Sequence, residues 1–101
     1  MKKIKMPSEE ILEEMENMLN IASDYTRLKI MYSLLNGEKC VSEIVSEIDA
    51  SQSLVSHQLK VLKDANLVGY KKEGTKVIYY LDDYHVRDLL NVVLDHVTEE
   101  K

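Results

Sequence analysis

The chain has 101 residues, 45% of them hydrophobic and 31% charged, with a formal net charge of −5 at neutral pH. That length and balance fit one soluble globular domain whose core is small enough for a dimer interface to add to its stability. The lone Cys40 closes no disulfide within the chain, no stretch is apolar enough to span a bilayer, and no apolar leader follows the basic start MKKIKMPSEE, so the expectation is a cytoplasmic protein with no membrane partner.

Ser8 opens the first predicted helix. The glutamates behind it suit a helix N-terminus, and Ile11, Leu12, Met15, Met18 and Leu19 recur at helical spacing. SDYTRLKIMYSLLNGE predicts a second helix with Leu28, Ile30, Met31, Leu34 and Leu35 on its apolar side and Gly37 as its stop. CVSEIVSEIDA is a short third helix that buries Val41, Ile44, Val45 and Ile48. SQSLVSHQLKVLKDANLVG starts at a serine cap and turns Leu54, Val55, Leu59 and Leu62 inward. After Asn66 the period becomes that of strands, and LVGYKKEGTKVIYYL predicts a hairpin around the glycine-containing turn KKEGTK. A last helix runs from Asp83 to about Val97, with Val86, Leu89, Leu90, Val93 and Val97 on one stripe. The fold class is mainly α with a β-hairpin wing, in a single domain over 1–101.

Two short helices joined by the tight DAS turn, then a hairpin, is the layout of a winged helix-turn-helix. The second helix of such a pair enters the major groove of double-stranded DNA through its first residues. Here these are Ser51, Gln52, Ser53, Ser56 and His57, all hydrogen-bonding and none acidic. Glutamine pairs bidentately with adenine, and serine donates to bases or phosphates. Lys60 and Lys63 follow one and two turns on, and the wing adds Lys71, Lys72 and Lys76. These five lysines face only Asp64 and Glu73 over positions 51–80, so this part of an acidic chain is locally basic. A solvated helix face with ordinary capping shows the same residue types. Order and spacing favour DNA.

His85 and His96 lie eleven residues apart on the last helix, which returns to within about 20° of one direction but spans roughly 16 Å. Metal–nitrogen bonds are about 2 Å, so one helix cannot bring both to one ion. An antiparallel second copy, with its dyad between Leu90 and Asn91, sets His85 of one protomer against His96 of its partner. The same dyad sets Asp83 beside Glu99, giving two intersubunit sites of two imidazoles and two carboxylates. Such a set suits tetrahedral Zn²⁺, and Co²⁺ accepts similar donors. Either half-set alone is what a solvated helix shows; their shared dyad argues for a ligand. Val86, Leu90 and Val93 exceed what one small core needs, so this helix predicts a homodimer interface, helped by Ile11, Leu12 and Met15 of the first.

The stretches DYTRLKIMYSLLNGEKCVSEI and SQSLVSHQLKVLKDANLVGYKKEGTKVIYYL, with the terminal DDYH and its later His and Glu, resemble the ArsR/SmtB family of homodimeric bacterial metal-sensing repressors. The resemblance runs from about Ser23 onward. It implies that Gln52, Ser53, Ser56 and His57 touch DNA, which assigns His57 to DNA and not to metal. The family's terminal-helix metal pattern is Asp-x-His, ten residues, His, two residues, then Glu or His. Asp83, His85, His96 and Glu99 match it position by position, and Asp82 is read as the helix cap. The function implied is a repressor that binds operator DNA as an apo dimer, is released by zinc or cobalt, and controls metal efflux or detoxification genes. The alternative is a dimeric repressor of the same fold with no metal effector or with a different inducer. The resemblance also implies that the second ring nitrogen of His96 reaches a main-chain carbonyl near Asn66, past the reading helix. Thiol-sensing relatives carry Cys-x-Cys where this chain has Cys40 and Ser42, so Cys40 reads as a buried small apolar residue. An enzyme is not expected: catalytic zinc keeps an open position on three protein ligands, whereas four ligands and no nucleophile constellation are found here.

Overall fold

The computed structural model describes residues 3–99. Its elements are α1 (Glu9–Ala22), α2 (Tyr25–Leu35), β1 (Lys39–Cys40), α3 (Val41–Ile48), α4 (Gln52–Asp64), β2 (Val68–Glu73), β3 (Lys76–Leu81) and α5 (Tyr84–Thr98). Four helices begin at a side chain that accepts from an amide the helix itself leaves unpaired. Ser8 accepts from Ile11 at 3.2 Å, Asp24 from Arg27 at 3.0 Å, Ser51 from Leu54 at 3.2 Å and Asp83 from Val86 at 3.1 Å. The cap of α5 is therefore Asp83, and the expectation of Asp82 is corrected by one residue. At α3, Glu43 reaches back to accept from the Cys40 amide at 2.9 Å. That bond holds the Glu43 carboxyl below the usual carboxylate range.

The core forms where α2, α3 and α4 meet the base of the wing. Ile30, Met31 and Leu34 from α2, Ile44 from α3 and Val55, Leu59 and Leu62 from α4 are all buried, joined by Leu67, Val68, Leu81, Val86 and Leu90. Leu54, expected inward, is 39% exposed. The buried line of α4 runs through Val55, Leu59 and Leu62, and Leu54 sits about 100° round from Val55. In contrast α1 has no buried residue, and Ile11, Leu12 and Met15 are each at least 40% exposed.

Asn66 ends α4 in the left-handed region, φ 62°. Its own amide donates to Lys63 at 3.0 Å and that of Leu67 donates to Leu62 at 2.9 Å, a pairing that satisfies the last carbonyls and turns the chain into β2. Gly74, at φ 64°, makes the tight turn into β3. The sheet has a third strand that the sequence pattern did not announce. Its order is β1-β3-β2, with Lys39 opposite Tyr79 and Cys40 opposite Ile78. A two-residue strand has no period to read. The order of the predicted elements otherwise holds, and the chain adopts a winged helix-turn-helix fold.

Gly69 lies opposite Tyr80 in the hairpin, and a Cβ there would sit 2.7 Å from the tyrosine ring. Gly69→Ala should therefore push the partly exposed Tyr80 ring aside and cost about 1 kcal/mol, the low end of the overpacking range. In a Tyr80→Ala background most of that cost should disappear. Urea denaturation of the two single variants and the double variant measures both effects.

Candidate nucleic-acid interface and metal centre

The reading helix α4 presents Gln52, Ser53, Ser56 and His57 on its exposed side, opposite the buried line Val55, Leu59 and Leu62. Ser51 is different, because its hydroxyl is already engaged as the cap of α4. Asp49 turns the chain between α3 and α4 at φ 54°, a conformation that aspartate tolerates better than most residues. Beside the exposed row, Gln58 accepts a 2.7 Å hydrogen bond from the Arg27 guanidinium on α2.

The five lysines are not equivalent. Lys60 pairs with Asp64 at 3.1 Å, one turn along α4. Lys63 lies over the Tyr70 ring, 5.0 Å from its centre. Lys71 is 2.9 Å from Glu38 and 3.6 Å from Glu73, and the bond to Glu38 chiefly raises its pKa above the ordinary lysine value. Among the described residues, Lys72 and Lys76 have no carboxylate within 4 Å. Exposed pairs of this kind are worth about 0–1 kcal/mol. Phosphate can displace them, but Lys60 and Lys71 give back part of what they gain.

At the start of α5, Asp83 divides its carboxylate. One oxygen caps α5 through the Val86 amide, and the second lies 3.6 Å from Nδ1 of His85. The carboxyl is held below its ordinary pKa first by the Val86 hydrogen bond, opposed by desolvation, with His85 assisting. The His85 side chain is 95% exposed, and His96 and Glu99 are exposed at the far end of the same helix. Since α5 is unbroken from Tyr84 to Thr98, the two half-sets stay roughly 16 Å apart. Among the described residues, no three His, Cys, Asp or Glu side chains of one protomer gather around a common point. The donors themselves fit a zinc-like ion: two imidazoles and two carboxylates, accessible, in two pairs of which the first is already close.

The stripe between the half-sets is divided. Val86 and Leu90, expected at a dimer interface, face the protomer's own core and are 8% and 3% exposed, whereas Val93 is 46% exposed. Their i, i+4 spacing puts both on one side of α5, where they join the common core. The apolar surface left on α5 is Val92, Val93, Leu94 and Val97. Beside it runs an apolar groove of about 270 Å³, lined by Leu19 and Ala22 of α1, Leu28 and Tyr32 of α2, and Leu89 and Val93 of α5.

Two hydrogen bonds tie α5 to α2. The Tyr32 hydroxyl donates to the Leu90 carbonyl and the Arg87 guanidinium to the Leu35 carbonyl, each at 2.7 Å. Burial pushes the Tyr32 phenol up. Among the described residues these are the side-chain hydrogen bonds that leave α5 for another element, and none joins His96 to the segment at Asn66. Sequence reasoning missed Arg27, Tyr32, Gln58 and Arg87. A polar residue flanking a helix's apolar stripe was the available signal, and its partner depends on how the helices cross.

Comparison with known proteins agrees with this geometry. Residues 24–70 match the family described as bacterial regulatory protein, arsR family. The chain is similar to a cadmium resistance transcriptional regulatory protein CadC homologue of Staphylococcus aureus, 44% identical over 76% of this chain and 64% of that one. It is also similar to the arsenical resistance operon repressor of Bacillus subtilis, 36% identical over 91% of this chain and 89% of that one. Among solved structures, the transcriptional repressor BigR from Xylella fastidiosa superposes with a TM-score of 0.78 at 28% identity, over 88% of this chain and 90% of that one. The chain spans just under two thirds of the length of several curated relatives it matches.

Two outcomes follow for DNA binding. Gln52→Ala should relax base preference at one half-site position by about 1–3 kcal/mol. Lys72→Ala should weaken binding to all duplexes and flatten the salt dependence, and Lys71→Ala should do so less, because Lys71 must leave Glu38 to reach a phosphate. Fluorescence anisotropy across a salt series compares the slopes, and a steeper loss for Lys71→Ala would contradict the assignment.

Proposed function

Because the chain belongs to the bacterial arsR family of regulatory proteins, we propose that it is a metal-responsive transcriptional repressor. In this reading a cytoplasmic homodimer holds operator DNA when metal-free and releases it when zinc or cobalt binds between the two terminal helices. The genes controlled would be those of metal efflux or detoxification. Relatives named for cadmium and arsenical resistance support the general class.

The observation that carries the reading is the layout of α5. Asp83 and His85 stand at its start, His96 and Glu99 at its end, and an exposed apolar stretch at Val92, Val93, Leu94 and Val97 lies towards the latter. One protomer cannot complete either site, and a second copy packed antiparallel on that stretch completes both. With α1 lacking any buried residue, Ile11, Leu12 and Met15 extend the same interface. The chain is then one winged helix-turn-helix domain with a dimerisation helix at each end. Bound metal would supply charge that holds the two helices in one arrangement. An effector shifts affinity only by favouring one conformer, typically by about 1–3 kcal/mol of coupling.

A second reading keeps the dimeric repressor and drops the metal. It is favoured by the structural task that Asp83 already performs as the cap of α5. Asp83→Asn separates the two readings, because asparagine caps a helix about as well as aspartate but is a poorer metal donor. Co²⁺ titration followed by visible absorption should give intense tetrahedral bands saturating near one ion per protomer in the wild type. The bands should weaken in Asp83→Asn and vanish in His96→Asn, with melting temperature little changed in both. Operator anisotropy with and without zinc should show release for the wild type and none for His96→Asn. Full bands in both variants would remove these residues from the site.

A further inference from the structure

We propose that Arg27 is a positioning residue for DNA recognition, fixing the attitude of α4 relative to the helices that meet the second protomer. This rests on the dimeric DNA-binding reading above. Two elements, α1 and α4, converge on this side chain. Its Nε donates to the Ile21 carbonyl in the last turn of α1 at 2.8 Å, and its NH1 donates to Oε1 of Gln58 on α4 at 2.7 Å. Its own amide is held by the Asp24 cap at 3.0 Å, which fixes where the side chain starts.

The directionality matters because, among the described residues, this is the side-chain hydrogen bond between α2 and α4, and their buried contact is apolar. Ile30, Met31 and Leu34 lie in one core with Val55, Leu59 and Leu62, and burial of this kind is indifferent to a few degrees of roll. Hydrogen bonds to a planar guanidinium are not, since both distance and angle are constrained. Gln58 directly follows His57 on α4, beside the exposed row, so a roll of α4 that moves Gln58 moves the reading residues with it.

The other end of α2 is fixed to α5. Tyr32 lies five residues, about 7.5 Å, beyond Arg27, and its hydroxyl donates to the Leu90 carbonyl at the middle of α5. Arg87 of α5 holds the final carbonyl of α2 at Leu35. Thus α2 acts as a strut with α5 at one end and the Gln58 bond at the other. Movement of α5 reaches α4 through Tyr32, α2 and Arg27. The same contact to Ile21 brings in α1, whose apolar face is open.

The test measures the distance between the two reading heads. A nitroxide is placed at Ser56→Cys in a Cys40→Ser background, and inter-protomer distances are read by double electron–electron resonance without DNA. The parent should give one narrow distribution. Gln58→Leu and Arg27→Lys should each spread it to about twice that width, and the double variant should be no broader than either, as expected of residues acting as a pair. Gln58→Glu keeps an acceptor for the guanidinium and should restore the narrow distribution, which a merely structural role for the helix surface would not distinguish from Gln58→Leu. A parallel arm uses a duplex selected from a randomised pool by the unlabelled wild type. Gln58→Leu should bind it about 5-fold or more weakly, within the usual range of coupling between sites, with an unchanged melting temperature. Equal widths for parent and Gln58→Leu overturn the proposal, as does the absence of any inter-protomer signal in the parent. Failure of the wild type to select a duplex overturns the DNA reading alone, and the widths still decide the role of Arg27.

Discussion

The burial of α2 is the constraint from which the rest of the structure follows. Its line Ile30, Met31 and Leu34 is almost completely removed from water, and each neighbouring element contributes to covering it. On one side lie the short α3 and the reading helix α4; on the other lie the base of the wing and α5. Burying a large aliphatic side chain gives roughly 1.5–3 kcal/mol, so these few residues supply much of what a chain of this size gains. Since α2 is committed on so many sides, it is the natural reference frame for the surfaces that meet other molecules. The polar groups at its margins, Arg27 and Tyr32, then set directions that apolar contact leaves open.

Much of this was legible in the sequence, because the informative signals are local. Ser8 and Ser51 each precede a helix by one position and cap it, while the cap of α5 falls one residue later than the sequence suggested. The change of period after Asn66 marks the hairpin, and Gly74 marks its turn. What was not legible depends on elements distant in the chain. The β1 strand exists because residues forty positions later pass beside it. Leu54 is out because two apolar neighbours cannot both face one line of contact, and only packing decides which does. Val86 and Leu90 satisfy the same stripe as Val93, yet the docking of α5 on the common core assigns them to the protomer itself. The candidate metal donors were readable as a pattern, but the double use of the Asp83 carboxylate required coordinates, as did the pairing of Lys71 with Glu38.

Opposite demands meet on a small surface. In the proposed DNA-binding reading, the charged residues of the wing and reading helix serve a polyanion while belonging to a chain of net charge −5. Pairing Lys60 and Lys71 with nearby carboxylates moderates general attraction to nucleic acid. In that reading Lys72 and Lys76, which pair with no carboxylate among the described residues, would supply the uncommitted contribution, and base contacts would carry a larger share of discrimination. In α5 the same economy appears as one helix that serves its own core on one face and presents ligand-type and apolar side chains on others.

The short strand β1 has a kinetic consequence. Its pairing of Lys39 with Tyr79 joins positions forty residues apart, and closing a loop of that length costs roughly 3 kcal/mol of chain entropy for very few bonds. The hairpin and the helices are built from nearby contacts and form early on any ordinary folding route. On these grounds docking of β1 is expected late, and its pairing is expected to open ahead of the core. Cys40 sits in that strand, buried at 9% exposure. Access to its thiol is then expected to follow the breathing of one sheet edge and not to wait for global unfolding.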